Sequence, residues 1–324
     1  MSFPAQRMRR LRRNEVIRRM VREARLSVDD LIYPLFIVHG TGVKKEIEPL
    51  PGNYQLSVDC LEEEARAISD LGIPAVILFG IPEKRDEMAS EAYDPEGIVQ
   101  VAIRRLKKSV PGLIIITDVC LCEYTPHGHC GIVKNGYLQN DPTVELLKKV
   151  TISQAEAGAD IVAPAAMMDG QVAAMRSVLD EHGFTDVAIM GYSAKMATKL
   201  YDPFFKSATE SAVTFGDKKS HQMDYSNANE ALREIALDIK EGADIVMVKP
   251  GMFYTDIIYR AKQRFGMPLA VYSVSGEYAM IKSAAQLGRI NEREITLELL
   301  TSFKRAGADL ILTYSAREIA PMLR

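Results

Sequence analysis

The sequence predicts an α/β fold, a (β/α)8 barrel of the TIM type, and three observations carry that prediction. Eight short apolar runs are spread along the 324 residues, most of them separated by a helical pattern. A glycine-centred turn recurs ahead of several of these runs. No Gly-x-Gly-x-x-Gly turn opens the first unit, so a doubly wound, dinucleotide-binding sheet has no support.

The first run is Leu31 to Val38. Leu71-Gly-Ile-Pro leads into the second, Ala75 to Phe79, and the third is Leu113 to Thr117. Ala157-Gly-Ala-Asp160 leads into the fourth, Ile161 to Ala163, and Val187 to Tyr192 is the fifth. Glu241-Gly-Ala-Asp244 leads into the sixth, Ile245 to Val248. Leu269 to Tyr272 is the seventh, and Ala306-Gly-Ala-Asp309 leads into the eighth, Leu310 to Thr313. Each such turn reads as a helix ending at a glycine and then a short buried strand. The runs are apolar on consecutive residues, as parallel strands covered on both faces are.

Barrels of this kind place their chemistry at the carboxyl ends of the strands. The unusual polar residues fall there: Asp118 and a cysteine group after the third run, Pro164 and Asp169 after the fourth, Ser193 and Lys195 after the fifth. Lys249 ends the sixth, Ser275 follows the seventh and Tyr314 ends the eighth.

Residues 1–28 stand apart from the barrel expected over 29–324. Arg7, Arg9, Arg10, Arg12, Arg13, Arg18, Arg19, Arg22 and Arg25 crowd this segment, while Leu11, Val16, Ile17, Met20 and Val21 give it an apolar face at helical spacing. It lacks the apolar centre of a signal peptide. An oligomerisation arm packed on a neighbouring subunit fits it better than targeting or nucleic-acid binding; a solvated charged helix is the alternative.

Composition sets the remaining bounds. Hydrophobic residues make up 47%, charged residues 26%, and the net charge is -3, values of a globular protein with a sizeable core. No apolar stretch approaches the ~20 residues needed to span a bilayer. Cys60 is the only cysteine outside the group after the third run, so no disulfide framework is available. A reducing, cytoplasmic setting without membrane or nucleic-acid partners is the expectation.

Three of the four cysteines fall within Asp118-Val-Cys120-Leu-Cys122-Glu-Tyr-Thr-Pro-His-Gly-His-Cys130. Three thiolates can hold zinc at three corners of its tetrahedron and leave the fourth for water or substrate, the pattern of catalytic sites. His127 or His129 could instead close the fourth corner. The plain alternative is that the cysteines are small core residues, which the Gly, Pro and His of the same segment argue against.

Lys249 ends an otherwise apolar run, and Lys195 lies one strand earlier, so both open into one cavity. Lysine is rarely buried without a partner. Two ammonium groups in one pocket of low dielectric constant disfavour each other's charge, and desolvation acts the same way. A neutral lysine amine is the nucleophile of Schiff-base chemistry on a ketone or aldehyde. The alternative for either lysine is a plain cation for a phosphate or carboxylate. The long segment from Tyr201 to Tyr225 follows, with Phe204, Phe205, Lys206, Lys218, Lys219 and His221 and no sustained periodicity. It reads as a lid over an anionic substrate.

With these residues in view, the chain resembles the porphobilinogen synthase (5-aminolevulinate dehydratase) family over essentially its whole length. The segment from Asp118 to Cys130 carries the resemblance, with Met168-Asp-Gly-Gln-Val172, Tyr192-Ser-Ala-Lys195, Met247-Val-Lys-Pro-Gly251, Val274-Ser-Gly-Glu-Tyr-Ala-Met280 and Lys304-Arg-Ala-Gly-Ala-Asp309. The resemblance implies a (β/α)8 barrel whose amino-terminal arm embraces a neighbour, commonly in a homo-octamer. It implies a lyase that condenses two 5-aminolevulinate molecules into porphobilinogen, with loss of water, on the route to haem and related tetrapyrroles. Lys249 and Lys195 would each form a Schiff base. Zn2+ on Cys120, Cys122 and Cys130 would act as a Lewis acid through its open position, and Asp118 would assist proton transfer. Ser275 and Tyr314 would hold the carboxylate of the first substrate, Lys219 would help to hold that of the second, and Glu234 matches the position of an allosteric Mg2+.

Three positions depart from the family pattern. Phe205 stands where an arginine ordinarily clamps a carboxylate with two hydrogen bonds. His221 replaces the usual tyrosine, and Ser273 the usual histidine or glutamine. Lys206 and Lys218 are the cations placed to compensate, although lysine is a point charge and not a fork. Competing readings are a divergent paralogue acting on a related amino ketone, an aldolase-like lyase using one lysine with structural cysteines, and a catalytically weak binding or assembly protein.

Overall fold

The computed structural model describes residues 5–201 and 206–323 in full and, of 204 and 205, the backbone alone. Eight parallel strands, Leu31–Val38, Ala75–Ile81, Ile114–Val119, Ile161–Pro164, Ala188–Lys195, Ile245–Lys249, Leu269–Ser273 and Leu310–Thr313, each pair with the next in chain order. The eighth returns to the first, with Leu31 opposite Ile311 and Ile32 opposite Leu312. The closed barrel expected from the sequence is therefore present. Helices cover its outside, among them Val58–Asp70, Ile98–Ser109, Asn140–Ala157, Gln171–Glu181, Ala228–Glu241, Thr255–Phe265 and Glu292–Ala306. Their inward stripes, such as Leu61, Ala65 and Ile68, repeat at helical spacing. An antiparallel ribbon, Lys44–Glu46 with Tyr54–Leu56, extends the first strand beyond what the apolar runs suggest.

The recurring Gly-Ala-Asp turn has a structural purpose. Gly158, Gly242 and Gly307 end their helices with φ of 105°, 103° and 116°, a conformation that costs other residues dearly. The aspartate two residues on then accepts a hydrogen bond from a backbone N–H at or near the start of the preceding strand. Asp160 takes that of Ile115, Asp244 that of Ile189 and Asp309 that of Leu269, each at 2.8 Å. Lys107 and Lys262 cover two of these carboxylates at 2.7 and 2.6 Å. The repeat thus ties neighbouring strands together at the base of the barrel, away from the mouth.

At the mouth, six of the eight strands run past the apolar residues by which the sequence locates them. The fifth continues to Lys195 and the third to Val119. The fifth also carries one extra residue. Ile245 and Val246 pair with Met190 and Gly191, but Val248 and Lys249 pair with Ala194 and Lys195. A bulge of this kind reverses the alternation of side chains beyond it. Tyr192 and Lys195 would face opposite sides of a regular strand; here both face the barrel interior.

The amino-terminal segment forms a short 3-10 helix, Met8–Arg12, and a short α-helix, Glu15–Met20, with no buried residue in either. Met8, Leu11, Val16, Met20 and Val21 are exposed. Leu26 and Val28 are the first side chains to pack on the core.

Candidate active site

Lys195 and Lys249 are register partners on adjacent strands. The Lys195 ammonium donates to the carbonyl of Ala165, just beyond the fourth strand, at 2.5 Å. Lys249 sits over the rings of Tyr272, Tyr192 and Tyr201, at 4.3, 5.0 and 5.3 Å from their centroids. Burial and then the neighbouring Lys195 charge push Lys249 down to about 7. For Lys195 burial acts downward, but negative charge on the cysteine group, Cys130 first, and on the Asp118 carboxylate outweighs it and leaves the group above its ordinary value. The two lysines therefore differ in character: Lys249 is the one poised as a neutral amine. Asp118, at the end of the third strand, is pushed up to about 7 by burial and by Glu123, against the pull of both lysines.

The cysteine loop follows directly. The sulfur atoms of Cys120, Cys122 and Cys130 are buried and lie within 4.8 Å of one another, with Cys120 and Cys122 3.2 Å apart. Hydrogen bonds from Cys120 and Cys122 hold the Cys130 thiol well below its usual range, the direction that favours a metal-binding thiolate. The donor set fits zinc, which prefers thiolate and accepts three protein ligands when a fourth position serves catalysis. Neither histidine joins it. His127 accepts from the His129 backbone N–H at 3.1 Å, and His129 stacks near Phe215 with its Nε2 3.0 Å from the Phe215 carbonyl. Asp118, Cys120 and Glu123 form another, overlapping group with ligand atoms equally close.

Those histidine contacts show what the loop also does: it anchors the segment expected to form the lid. Ser211 donates to the Cys122 carbonyl at 2.6 Å, and the Thr214 N–H to that of His127 at 3.2 Å. Arg85 bridges the two segments through the carbonyls of Glu123 and Thr209, at 2.9 and 3.1 Å. The lid includes a short helix, Phe204–Thr209, and returns to the fifth strand where Met223 bonds Lys195 and Ala197 backbone groups. Lys218 is half-buried, and the cysteine group and Glu123 draw it up against the opposing effect of burial. Lys219 is exposed, 3.9 Å from Asp217, and Lys206 is exposed as well. The Phe205 side chain lies outside the fully described residues.

On the far wall Tyr314 and Tyr272 share a hydrogen bond of 3.0 Å, and Ser275 lies 3.5 Å from the Leu200 carbonyl. Phe36, Phe79, Tyr278 and these tyrosines form a continuous aromatic wall. Glu234 stands on a helix outside the barrel. It lines a cavity of about 590 Å³ with Asp169, Glu230, Asp238 and Glu241, and that cavity also reaches Tyr192, Ser193 and Lys219. Burial, then Asp169, Glu230 and Glu241, push its carboxyl up. Among the described residues it is not part of a tight group of metal-ligating side chains. Tyr192 and Glu277 lie in stretches that carry the resemblance, but the sequence reading gives neither a role: the bulge hides Tyr192, and Glu277 has the pattern of an ordinary helical glutamate.

The profile of the family described as delta-aminolevulinic acid dehydratase matches residues 5–322. A delta-aminolevulinic acid dehydratase of Synechocystis sp. is 56% identical over 326 residues, 99% of each chain. One from Bacillus subtilis is 49% identical over 323 residues, 100% of this chain and 99% of the relative. The crystal structure of delta-aminolevulinic acid dehydratase from Toxoplasma gondii, in complex with the reaction product porphobilinogen, superposes with a TM-score of 0.96 at 42% identity. That match covers 99% of this chain and 92% of the other. With its barrel, its facing lysines and this end-to-end agreement, the chain belongs to the delta-aminolevulinic acid dehydratase family.

Proposed function

We propose that this chain is the lyase that condenses two 5-aminolevulinate molecules into porphobilinogen for tetrapyrrole biosynthesis, with Lys249 and Lys195 as its Schiff-base residues. The observation that carries this reading is the pairing of the two lysines across adjacent strands beside three buried thiols. The neutral Nζ of Lys249 attacks a keto carbon; the carbonyl oxygen takes up two protons and leaves as water, so that amine and ketone become imine and water. Lys195 does the same for the other substrate once the charge around it is balanced. Asp118, on the third strand, feels the charge of both lysines and has a carboxyl value suited to passing a proton near neutrality. Ser275 and Tyr314 are assigned to one substrate carboxylate. For the other, the half-buried Lys218 is better placed than Lys219 or Lys206, both of which face solvent.

Cys120, Cys122 and Cys130 would hold Zn2+, which supplies Lewis acidity when bound. Glu234 and its acidic neighbours suit a Mg2+ ion that keeps several of its waters, since that ion dehydrates reluctantly. The exposed apolar side chains of residues 8–21 support an arm over residues 1–28 that covers a neighbouring copy, in a homo-oligomer such as an octamer. No helix among the described residues is long and apolar enough to cross a membrane; a cytoplasmic enzyme is the setting we assign. Phe205 favours one other reading, a divergent relative specialised for a related amino ketone.

The test is incubation of purified protein with 5-aminolevulinate and zinc, followed by colorimetric detection of the pyrrole and borohydride trapping at the lysines. Product and trapped adducts at both lysines are expected. Chelation should abolish product and added zinc restore it, and a Cys120→Ala, Cys122→Ala variant should stay inactive. Activity that survives chelation would leave a one-lysine lyase with structural cysteines. Turnover confined to another amino ketone would favour the divergent relative.

A further inference from the structure

The turn that follows the sixth strand is held by a residue three elements further along the chain. Glu277 lies in the first turn of the helix Ser275–Gln286 and is fully buried. Its Oε1 accepts from the backbone N–H groups of both Gly251 and Met252, each at 2.9 Å. These are the second and third residues after Lys249. Among the described residues no ammonium or guanidinium pairs with Glu277, so ion pairing does not explain a carboxylate in this place. Sequestering one costs several kcal/mol unless its bonds are met.

The surroundings leave the turn little room. A Cβ at Gly251 would come within 2.6 Å of Val271 and 2.7 Å of Phe303, so the turn presses directly against the seventh strand and its covering helix. The residues before Glu277 hold the other lysine strand's exit in the same way. Gly276 donates to the Leu200 carbonyl at 3.0 Å, and a Cβ there would meet that oxygen at 2.5 Å. Leu200 follows the fifth strand, which carries Lys195. One helix start therefore fastens the exits of both lysine strands, and Glu277 fastens the Lys249 side.

We infer that Glu277 is a positioning residue for Lys249: its carboxylate fixes the turn after the sixth strand and so sets where the Lys249 amine stands. Burial pushes the Glu277 carboxyl up to about 7. A neutral carboxyl still presents an acceptor oxygen to the two N–H groups, so the clamp operates on either side of neutrality. The inference rests on the reading of Lys249 as a Schiff-base residue.

Two variants separate reach from charge. Glu277→Gln keeps the length and an acceptor oxygen but removes the charge. Glu277→Asp keeps the charge but draws the acceptor back by one methylene. Borohydride trapping with 5-aminolevulinate, read lysine by lysine by mass spectrometry of the full-length protein, gives the rate at each site. Positioning predicts that Glu277→Asp slows trapping at Lys249 by up to about a hundredfold, the loss a misplaced group of this kind can produce. Trapping at Lys195 should change by less than about threefold, and Glu277→Gln should recover most of the Lys249 rate. Equal slowing at both lysines would mean a general loss of structure, and Glu277→Gln as slow as Glu277→Asp would mean that the charge matters; either result overturns the inference. A wild-type rate at Lys249 in Glu277→Asp overturns it too. No adduct at Lys249 in the wild-type protein would instead sink the Schiff-base reading itself.

Discussion

Lys249 shows how far a single residue departs from its ordinary chemistry in this barrel. Its depressed value, about 7, arises from burial first and from Lys195 next. The neutral amine is the reactive form, so adduct formation at Lys249 should rise about tenfold per pH unit below about 7 and level off above it. Replacing Lys195 by Met removes a like charge. The Lys249 ammonium is then less disfavoured, its value rises, and the ascending limb should move to higher pH. Single-turnover trapping across pH measures this; a limb that stays put or moves to lower pH would contradict the assigned cause. The same shift acts on stability. Between about 7 and the ordinary lysine value near ~10.4, the unfolded chain binds the extra proton, so stability rises with pH over that window. At this scale the sequence was informative about residue types. Lysine at a strand end and cysteines at close spacing are visible as letters, because such residues are rare in those places. Which lysine of the Lys218–Lys219 pair turns inward is not visible, since that depends on the path of the lid.

The elements explain why those residues hold their positions. Asp160, Asp244 and Asp309 join successive strands at the base of the barrel, and the lid is sewn to the cysteine loop through Ser211, Thr214, His129 and Arg85. Asp160→Ala should leave the Ile115 N–H without its acceptor and break the pair with Lys107. An unmet, part-buried donor costs about 1–3 kcal/mol, which urea unfolding should register. Asp160→Asn keeps an acceptor oxygen and should cost less than the alanine change. Equal losses in the two variants would show that charge, and not the hydrogen bond to the strand, is what matters. These contacts couple the cysteine loop to the 201–225 segment, so displacing one displaces the other. His127 and His129 illustrate the limit of reading ligands from letters. Both have metal-ligand chemistry and lie within three residues of Cys130, yet the backbone turns their rings toward each other and toward Phe215.

For the molecule as a whole, the barrel accounts for nearly all of the buried apolar surface and the arm for almost none. Arm side chains such as Met20 and Val16 are 71% and 56% exposed. Apolar groups of that size at helical spacing stabilise a protein when they are covered by another surface. Removing residues 1–13 should therefore lower the mass seen by light scattering, while the barrel keeps its circular dichroism. An unchanged mass would make the arm a solvated tail.

The sequence by itself determined the closed eightfold barrel, the rare polar residues at its strand ends and the family. It did so because parallel strands buried on both faces leave continuous apolar runs, glycine is nearly obligatory at the helix ends, and rare polar residues stand out against them. The tertiary structure decided the rest. An extra residue in the fifth strand turned Tyr192 and Lys195 to the same side, which strict alternation forbids. Backbone N–H groups of Gly251 and Met252 gave Glu277 its use, and backbone carbonyls fastened the lid to the cysteine loop. Those interactions run through main-chain atoms that every residue carries, so no letter in the sequence records them.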